Sequence, residues 1–212
     1  MADKENTGIF DMTVPVIMLM PNLVIPKPYM ENGKAKGDPK FGGNFIFGAE
    51  HPDLKPIKQK CLAVARAMWP GIATSEVGWP WKSGTEAADK RKAAGKDGEI
   101  TRDKAILKAR SKYEPMLSWV EGGQVKEIPG TSGAAVQSSK FFSGVEVLAS
   151  FNFVPVEVSG NKYVTAYLSK VFSTGKGTRV GGGRSAAESF KGYIGQKSAE
   201  DPTAGAGDED AF

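Results

Sequence analysis

Residues Gly144–Val158 read GVEVLASFNFVPVEV, Ser159-Gly160-Asn161 follow, and Lys162–Ser173 read KYVTAYLSKVFS. Apolar and polar residues alternate in both runs, and the three residues between them are turn formers, so the segment predicts a β-hairpin. Phe151 and Phe153 fall on one face of the first strand and are expected in the core. Tyr163 and Tyr167 share a face of the return strand, where phenols tolerate water as readily as burial.

Outward from the hairpin, the chain offers several short strands and one strong helix. Met12–Met20 (MTVPVIMLM) reads as a first strand with a bend or an unpaired edge position at Pro15. Residues 1–11 are polar and expected to be flexible. Residues 21–40 carry four prolines and Glu31-Asn32-Gly33, and are expected to form a long connection. Phe41–Gly48 (FGGNFIFG) is a second strand, bulged or bent at its glycine pair. From about Asp53, a plausible N-cap, to Trp69, the apolar residues Leu54, Ile57, Cys61, Val64, Ala65 and Met68 recur at helical spacing, and Pro70-Gly71 ends the run. Lys82–Lys112 holds ten bases and five acids. Its first part, to about Arg102, is expected to be a flexible basic loop, and Ile106–Tyr113 a strand. Met116–Val120 is a further short strand before a Gly122-Gly123 turn. Gly175–Arg184 is expected to be a basic linker, with a short docking segment over Ser185–Tyr193. One helix among five or six strands makes a small β-barrel or sandwich with a helical insertion.

Composition excludes much chemistry. A single cysteine (Cys61) rules out a disulfide framework within the chain and any multi-thiolate metal site, and a single histidine (His51) rules out histidine-cluster sites. Cys61 lies in the apolar stripe of the helix and reads as a buried structural thiol. Gly175-Lys176-Gly177-Thr178 lacks the spacing of a phosphate-binding loop, because position 170 is lysine where a glycine is needed. No G-x-S-x-G motif is present. No apolar run reaches the ~18–20 residues that span a bilayer, and residues 2–6 lack the order of a signal peptide. The expectation is a soluble, intracellular chain that is not an enzyme and needs no metal or cofactor.

Charge is distributed unevenly. The net charge is +4, yet residues 200–212 hold five acids and no base, which leaves 28 bases against 19 acids in residues 1–199, a body of +9. A basic body points to a polyanion, and an acidic terminus can compete with it or recruit another protein. Single-strand binders need cations along the phosphates and aromatic faces for unstacked bases. On a strand, Lys108, Arg110 and Lys112 share one face, with Tyr113 at the strand's end on the opposite face. Trp79, Trp81 and Lys82 stand in a Gly/Pro-rich connection where burial of an aromatic is not obligatory, so both tryptophans are candidates for base stacking. Tyr163, Tyr167 and Lys170 complete the candidate nucleic-acid-binding set.

The segments Phe141–Gly144 (FFSG), the hairpin, Gly182–Phe190 (GGRSAAESF), Lys108–Pro115 (KARSKYEP) and the helix ending at Trp69 occur in an order that resembles a family of phage single-stranded DNA-binding proteins, long catalogued as a domain of unknown function. The chain is similar in plan to the replication single-strand binders of podophages. The resemblance covers about residues 12–192. It implies an all-β (β-rich α+β) fold, an OB-fold five-stranded barrel with one inserted helix, a basic loop and a disordered acidic C-terminal tail. The expected organisation is a flexible 1–11, a DNA-binding domain over 12–195 and a tail over 196–212. It further implies sequence-independent binding of single-stranded DNA in phage replication or recombination, in the cytoplasm of the infected bacterium. In the tail, Asp208, Glu209, Asp210 and Phe212 would contact phage or host replication proteins. The sequence also admits a homo-oligomer. Two departures from the family plan are the long Lys82–Arg102 insertion and a helix placed before, rather than after, the third strand. A strand-annealing recombination mediator and a phage protein-interaction module are the alternative readings.

Overall fold

The protein is described here by a computed structural model covering residues 8–31, 34–95 and 98–180. The chain divides into two units, Met1–Val180 and Gly181–Phe212. The second unit lies outside the described residues. So do residues 1–7, the expected docking segment Ser185–Tyr193 and the expected acidic tail with Asp208, Glu209, Asp210 and Phe212.

Within the first unit the strands are β1 (Ile9–Asp11), β2 (Val16–Glu31), β3 (Lys34–Phe47), β4 (Val77–Gly78), β5 (Trp81–Ser83), β6 (Ala105–Ser111), β7 (Met116–Glu121), β8 (Gln124–Pro129), β9 (Val145–Val158) and β10 (Asn161–Gly177). Three helices interrupt them: α1 (Leu54–Met68), α2 (Gly84–Ala93) and α3 (Ala134–Lys140). Five strands close a ring. β9 pairs antiparallel with β2, β2 with β3, and β3 with β6; β6 runs parallel to β10, which returns antiparallel to β9. This closed five-stranded order is that of an OB-fold barrel.

The ring forms because its strands turn an apolar face inward by alternation, interrupted on β10 between Leu168 and Lys170. On β9, Val145, Val147, Ala149, Phe151 and Phe153 all point inward and are buried, and on β10 so do Val164, Ala166, Leu168 and Val171. The two strands meet at Ser159-Gly160, which take φ values of 50° and 76°. Positive φ at both central residues fits the right-handed twist of a two-residue hairpin. In the barrel interior the Phe45 and Phe151 rings meet edge to face at 5.0 Å. Helix α1 packs on β9 and β10 with Ile57, Cys61, Val64 and Ala65 buried. Burial pushes the Cys61 thiol up to about 12, so it is a packing residue rather than a nucleophile.

Several expectations are corrected. Ile9–Asp11, expected to be flexible, is an edge strand paired with Ser150–Asn152 of β9. Residues 21–40 are not a connection: they are the outer arms of β2 and β3, paired as far as Glu31 with Lys34. The register of this pair shifts repeatedly through the stretch holding Pro21, Pro26 and Pro28, where prolines remove ladder donors. The expected flexible loop Lys82–Arg102 instead contains β5, α2 and a 3-10 turn at Glu99–Thr101. The Ser83 hydroxyl caps α2 by accepting from the Glu86 N–H, and Arg102 ties the turn to the helix through ion pairs with Glu99 and Asp89. Among the described residues the barrel thus carries three helices where one was expected, and β10 continues to Gly177 into the expected linker. Asp53 precedes α1 but makes no side-chain cap. Its carboxylate instead accepts from the Thr13 N–H and hydroxyl and the Val14 N–H, at 2.7–3.0 Å. This fastens the chain before β2 to the start of α1.

Candidate nucleic-acid interface

The outer face of the barrel is divided by what covers it. Leu19 of β2, Ile46 of β3 and Ile106 of β6 form a small cluster outside the ring, closed by Ala87 of α2 and Ile100. One step further along β6, the outward residues are Lys108 and Arg110, while Leu107, Ala109 and Ser111 between and beside them are buried. The period-two expectation for these cations therefore holds on the described strand. Strand β6 ends at Ser111, so Lys112 and Tyr113 lie beyond it, and Tyr113 is not on an opposite strand face: it is 71% exposed on the loop to β7. The Lys112 Nζ sits 5.0 Å from the Tyr113 ring centroid.

Arg110 is held in the sheet. Its Nη1 donates to the carbonyls of Gly43 (2.7 Å) and Ala109 (2.8 Å), and its Nη2 to the Asn44 side-chain oxygen (3.3 Å). The opposing residue on β3 is Gly42, where a Cβ would come within 2.9 Å of the Arg110 Cδ and 2.1 Å of the Ala109 carbonyl oxygen. The missing side chain lets the arginine lie along the sheet. Burial lowers the guanidinium's proton affinity, yet it stays charged at any physiological pH.

Lys108 stands among like charges. Burial holds its ammonium below the usual lysine range, and Arg110, Lys82 and Lys40 add to the depression. Lys108 and Arg110 form one side of a concavity whose other side is the β2–β3 arm, with Asn22, Lys27, Lys36 and Lys40. Residues Lys27, Lys36, Lys40, Asn22 and Asn44 were not singled out in the sequence. The signal that could have found them is Asn32-Gly33, a hairpin dipeptide flanked by lysines, which the surrounding prolines outweighed.

The aromatic candidates separate into two groups. Strands β6 and β10 run parallel with Ala109 beside Ala166, so the next residue of each, Arg110 and Tyr167, lies level on the outer face. Tyr163 is 41% exposed, and its ring covers Gly78 of β4. Lys170 would point inward on a regular strand. A register shift between Leu168 and Lys170 inserts Ser169, whose hydroxyl donates to the Ser150 carbonyl at 3.0 Å, and leaves Lys170 exposed. Trp79 and Trp81, the stacking candidates of the connection, are half-buried against the core. The Trp79 indole N–H donates to the Thr74 carbonyl at 2.9 Å, and Trp81 meets Phe47 edge to face at 6.0 Å with the Lys58 Nζ over its ring. Lys82, next to Trp81, is exposed and reaches the field of Lys108. Among the described residues no cluster of three or more metal-ligating side chains occurs, and no helix is long and apolar enough to cross a membrane.

A family model described as Enterobacter phage Enc34, ssDNA-binding protein, matches residues 21–203. Among solved structures, the chain is similar to the single-stranded DNA-binding protein of bacteriophage Enc34 in complex with ssDNA, with 16% identity, a TM-score of 0.61, and coverage of 85% of this chain and 97% of that one. It is also similar to that phage protein without DNA, with 16% identity, a TM-score of 0.59, and coverage of 88% and 94%. The single-stranded DNA-binding protein gp2.5 of bacteriophage T7 aligns with 14% identity, a TM-score of 0.48, and coverage of 84% and 95%. No curated protein matches the chain in sequence.

Proposed function

Given that the chain belongs to the Enterobacter phage Enc34 ssDNA-binding protein family, we propose that it binds single-stranded DNA without sequence preference, as a non-catalytic protein of phage DNA replication and recombination. The observation that carries this reading is Lys108, partly buried and surrounded by Arg110, Lys82 and Lys40. Gathering like charges on one barrel face costs electrostatic free energy, and a bound phosphodiester offsets that cost. Lys112 and Lys170 extend the positive surface. Tyr113 and Tyr163 are exposed for base stacking, and the half-buried Tyr167 lies level with Arg110; stacking contributes ~1–3 kcal/mol per base. Trp79 and Trp81 serve packing first.

The host-cell cytoplasm is the compartment where such DNA is exposed. The acidic terminus, with Asp208, Glu209, Asp210 and Phe212, is proposed to recruit replication proteins. The charge arithmetic supports this: five acids and no base over residues 200–212 offer a negative surface to a basic partner. The test is a titration with single- and double-stranded oligonucleotides of equal length across a salt series. Preference for single strands with a log–log salt slope of about −0.7 per phosphate supports the reading. Affinity independent of salt rejects it.

A further inference from the structure

Between the pairs Tyr29–Lys36 and Lys27–Lys40 of the β2–β3 arm, three residues of β3 (Gly37, Asp38 and Pro39) stand opposite one residue of β2, Pro28. Gly37 takes φ +76°, with open space where a Cβ would be. Neither Pro28 nor Pro39 has an N–H, so no ladder bond can draw the extra residues back into register. Such a bulge re-aims the side chain it carries. Asp38 consequently lines the same concavity as Lys108 and Arg110, with Pro28 and Met30 as its apolar wall. A carboxylate here runs against the charge of everything around it, and for phosphate alone it is a liability. Its chemistry is that of a pure hydrogen-bond acceptor.

We infer that this concavity is a nucleotide subsite in which Asp38 accepts a hydrogen bond from the exocyclic amine of a base, while Pro28 and Met30 support the base's face and the Lys108 side takes its phosphate. The inference rests on the single-strand-binding reading and replaces its indifference to sequence with a modest base preference. Cytosine presents an amine donor where thymine presents a carbonyl oxygen. The carboxylate attracts the first and repels the second, so the protein favours cytosine-rich over thymine-rich strands.

Fluorescence anisotropy of the full-length protein with oligo-dC and oligo-dT of equal length, at neutral pH and one salt concentration, reads the selectivity. Wild type should favour oligo-dC by about fivefold, the scale of one net hydrogen bond. Asp38→Ala should tighten oligo-dT but not oligo-dC, bringing the ratio to about one. Asp38→Asn, whose amide can accept from the cytosine amine or donate to the thymine carbonyl, should likewise lose the preference. Equal wild-type affinities would overturn the subsite and leave DNA binding intact. So would an Asp38→Ala variant that tightens both oligonucleotides alike, which would make Asp38 an electrostatic brake only. A wild type that binds neither oligonucleotide would reject the function itself, and the subsite with it.

Discussion

The Glu114 carboxylate accepts hydrogen bonds from both the backbone N–H (3.0 Å) and the hydroxyl of Thr131. This fastens the loop after β6 to the 3-10 turn Gly130–Gly133 that precedes α3. The Tyr113 N–H, one residue earlier, donates to the Ser111 hydroxyl at 3.0 Å. An exposed ring is thus carried on a backbone tied at two points, which reduces the ordering cost of stacking a base on it. Tyr113→Ala should weaken oligonucleotide binding by about 1–3 kcal/mol with no change in melting temperature. Glu114→Ala should weaken binding less, and Tyr113→Phe should leave it near wild type, because the ring rather than the hydroxyl does the stacking. Anisotropy and thermal unfolding measured on the same samples check all three.

Arg110 and Lys108 are neighbours on one face but differ in what they support. Replacing Arg110 by Ala removes three hydrogen bonds, two of them to backbone carbonyls, and leaves the buried Gly43 carbonyl without that donor. The variant should lose stability by about 1–3 kcal/mol as well as DNA affinity. A Lys108→Ala/Lys112→Ala double variant should keep its unfolding midpoint and lower the magnitude of the salt slope. An unchanged slope in that double variant would remove both lysines from the interface.

How much of this was legible in the sequence depended on whether the signal was local. The β9–β10 hairpin, helix α1 and the outward placement of Lys108 and Arg110 follow from alternation, helical spacing and turn residues within a few positions. The β2–β3 arm was missed because prolines at 21, 26, 28 and 39 argue against regular strands, whereas the structure accommodates them by shifting register. Helix α2 was missed because its ten residues bury only Gly84 and Ala88. It has almost no apolar stripe, and the local Ser83 cap together with the Arg102–Asp89 ion pair holds it instead. The half-burial of the tryptophans was not legible for a related reason. Trp81 opens the short β5 and Trp79 lies just beyond the end of β4, and both pack on a core built from elements distant in sequence.

Trp81 consequently separates stability from binding. Its edge contact with Phe47 and its place against the core predict that Trp81→Ala costs about 2 kcal/mol or more. Trp81→Phe should retain most of that stability and bind oligonucleotide as wild type does. Loss of binding in a Trp81→Phe variant that melts normally would return the indole to the interface.

The depressed proton affinity of Lys108 gives DNA binding a pH dependence of defined sign. Burial, Arg110, Lys82 and Lys40 all disfavour its charged form in the free protein. A phosphate brought beside it favours the charged form, so binding raises its pKa and takes up a proton where the free lysine has begun to lose one. Affinity should therefore decline with rising pH before the ordinary lysine range near 10.4 is reached. Lys108→Arg, which stays charged, should flatten that decline while keeping neutral-pH affinity close to wild type.

Asp53 sets the acid limit of the fold. Burial pushes its carboxyl up, but the hydrogen bonds from Val14 and Thr13 and the nearby His51 outweigh burial and hold it below the usual aspartate value. The Asp53 N–H donates to the His51 Nδ1 at 3.2 Å, and the other ring nitrogen lies 3.4 Å from the Pro15 carbonyl, so one histidine tautomer serves both contacts. A carboxyl whose pKa is lower folded than unfolded contributes stability that is fully present above the unfolded value, about 3.9, and is lost as pH falls through the folded value. The wild-type melting temperature should thus fall in acid more steeply than that of Asp53→Asn, which has no such charge to lose. At neutral pH the wild type should be the more stable, since the amide cannot accept the Thr13 and Val14 donors as strongly as a carboxylate does. Thermal unfolding of both proteins from neutral pH to about 3 measures the convergence, the pH range being set by the carboxylate values. Parallel curves would show that the Thr13–Asp53 tie adds no charge-dependent stability.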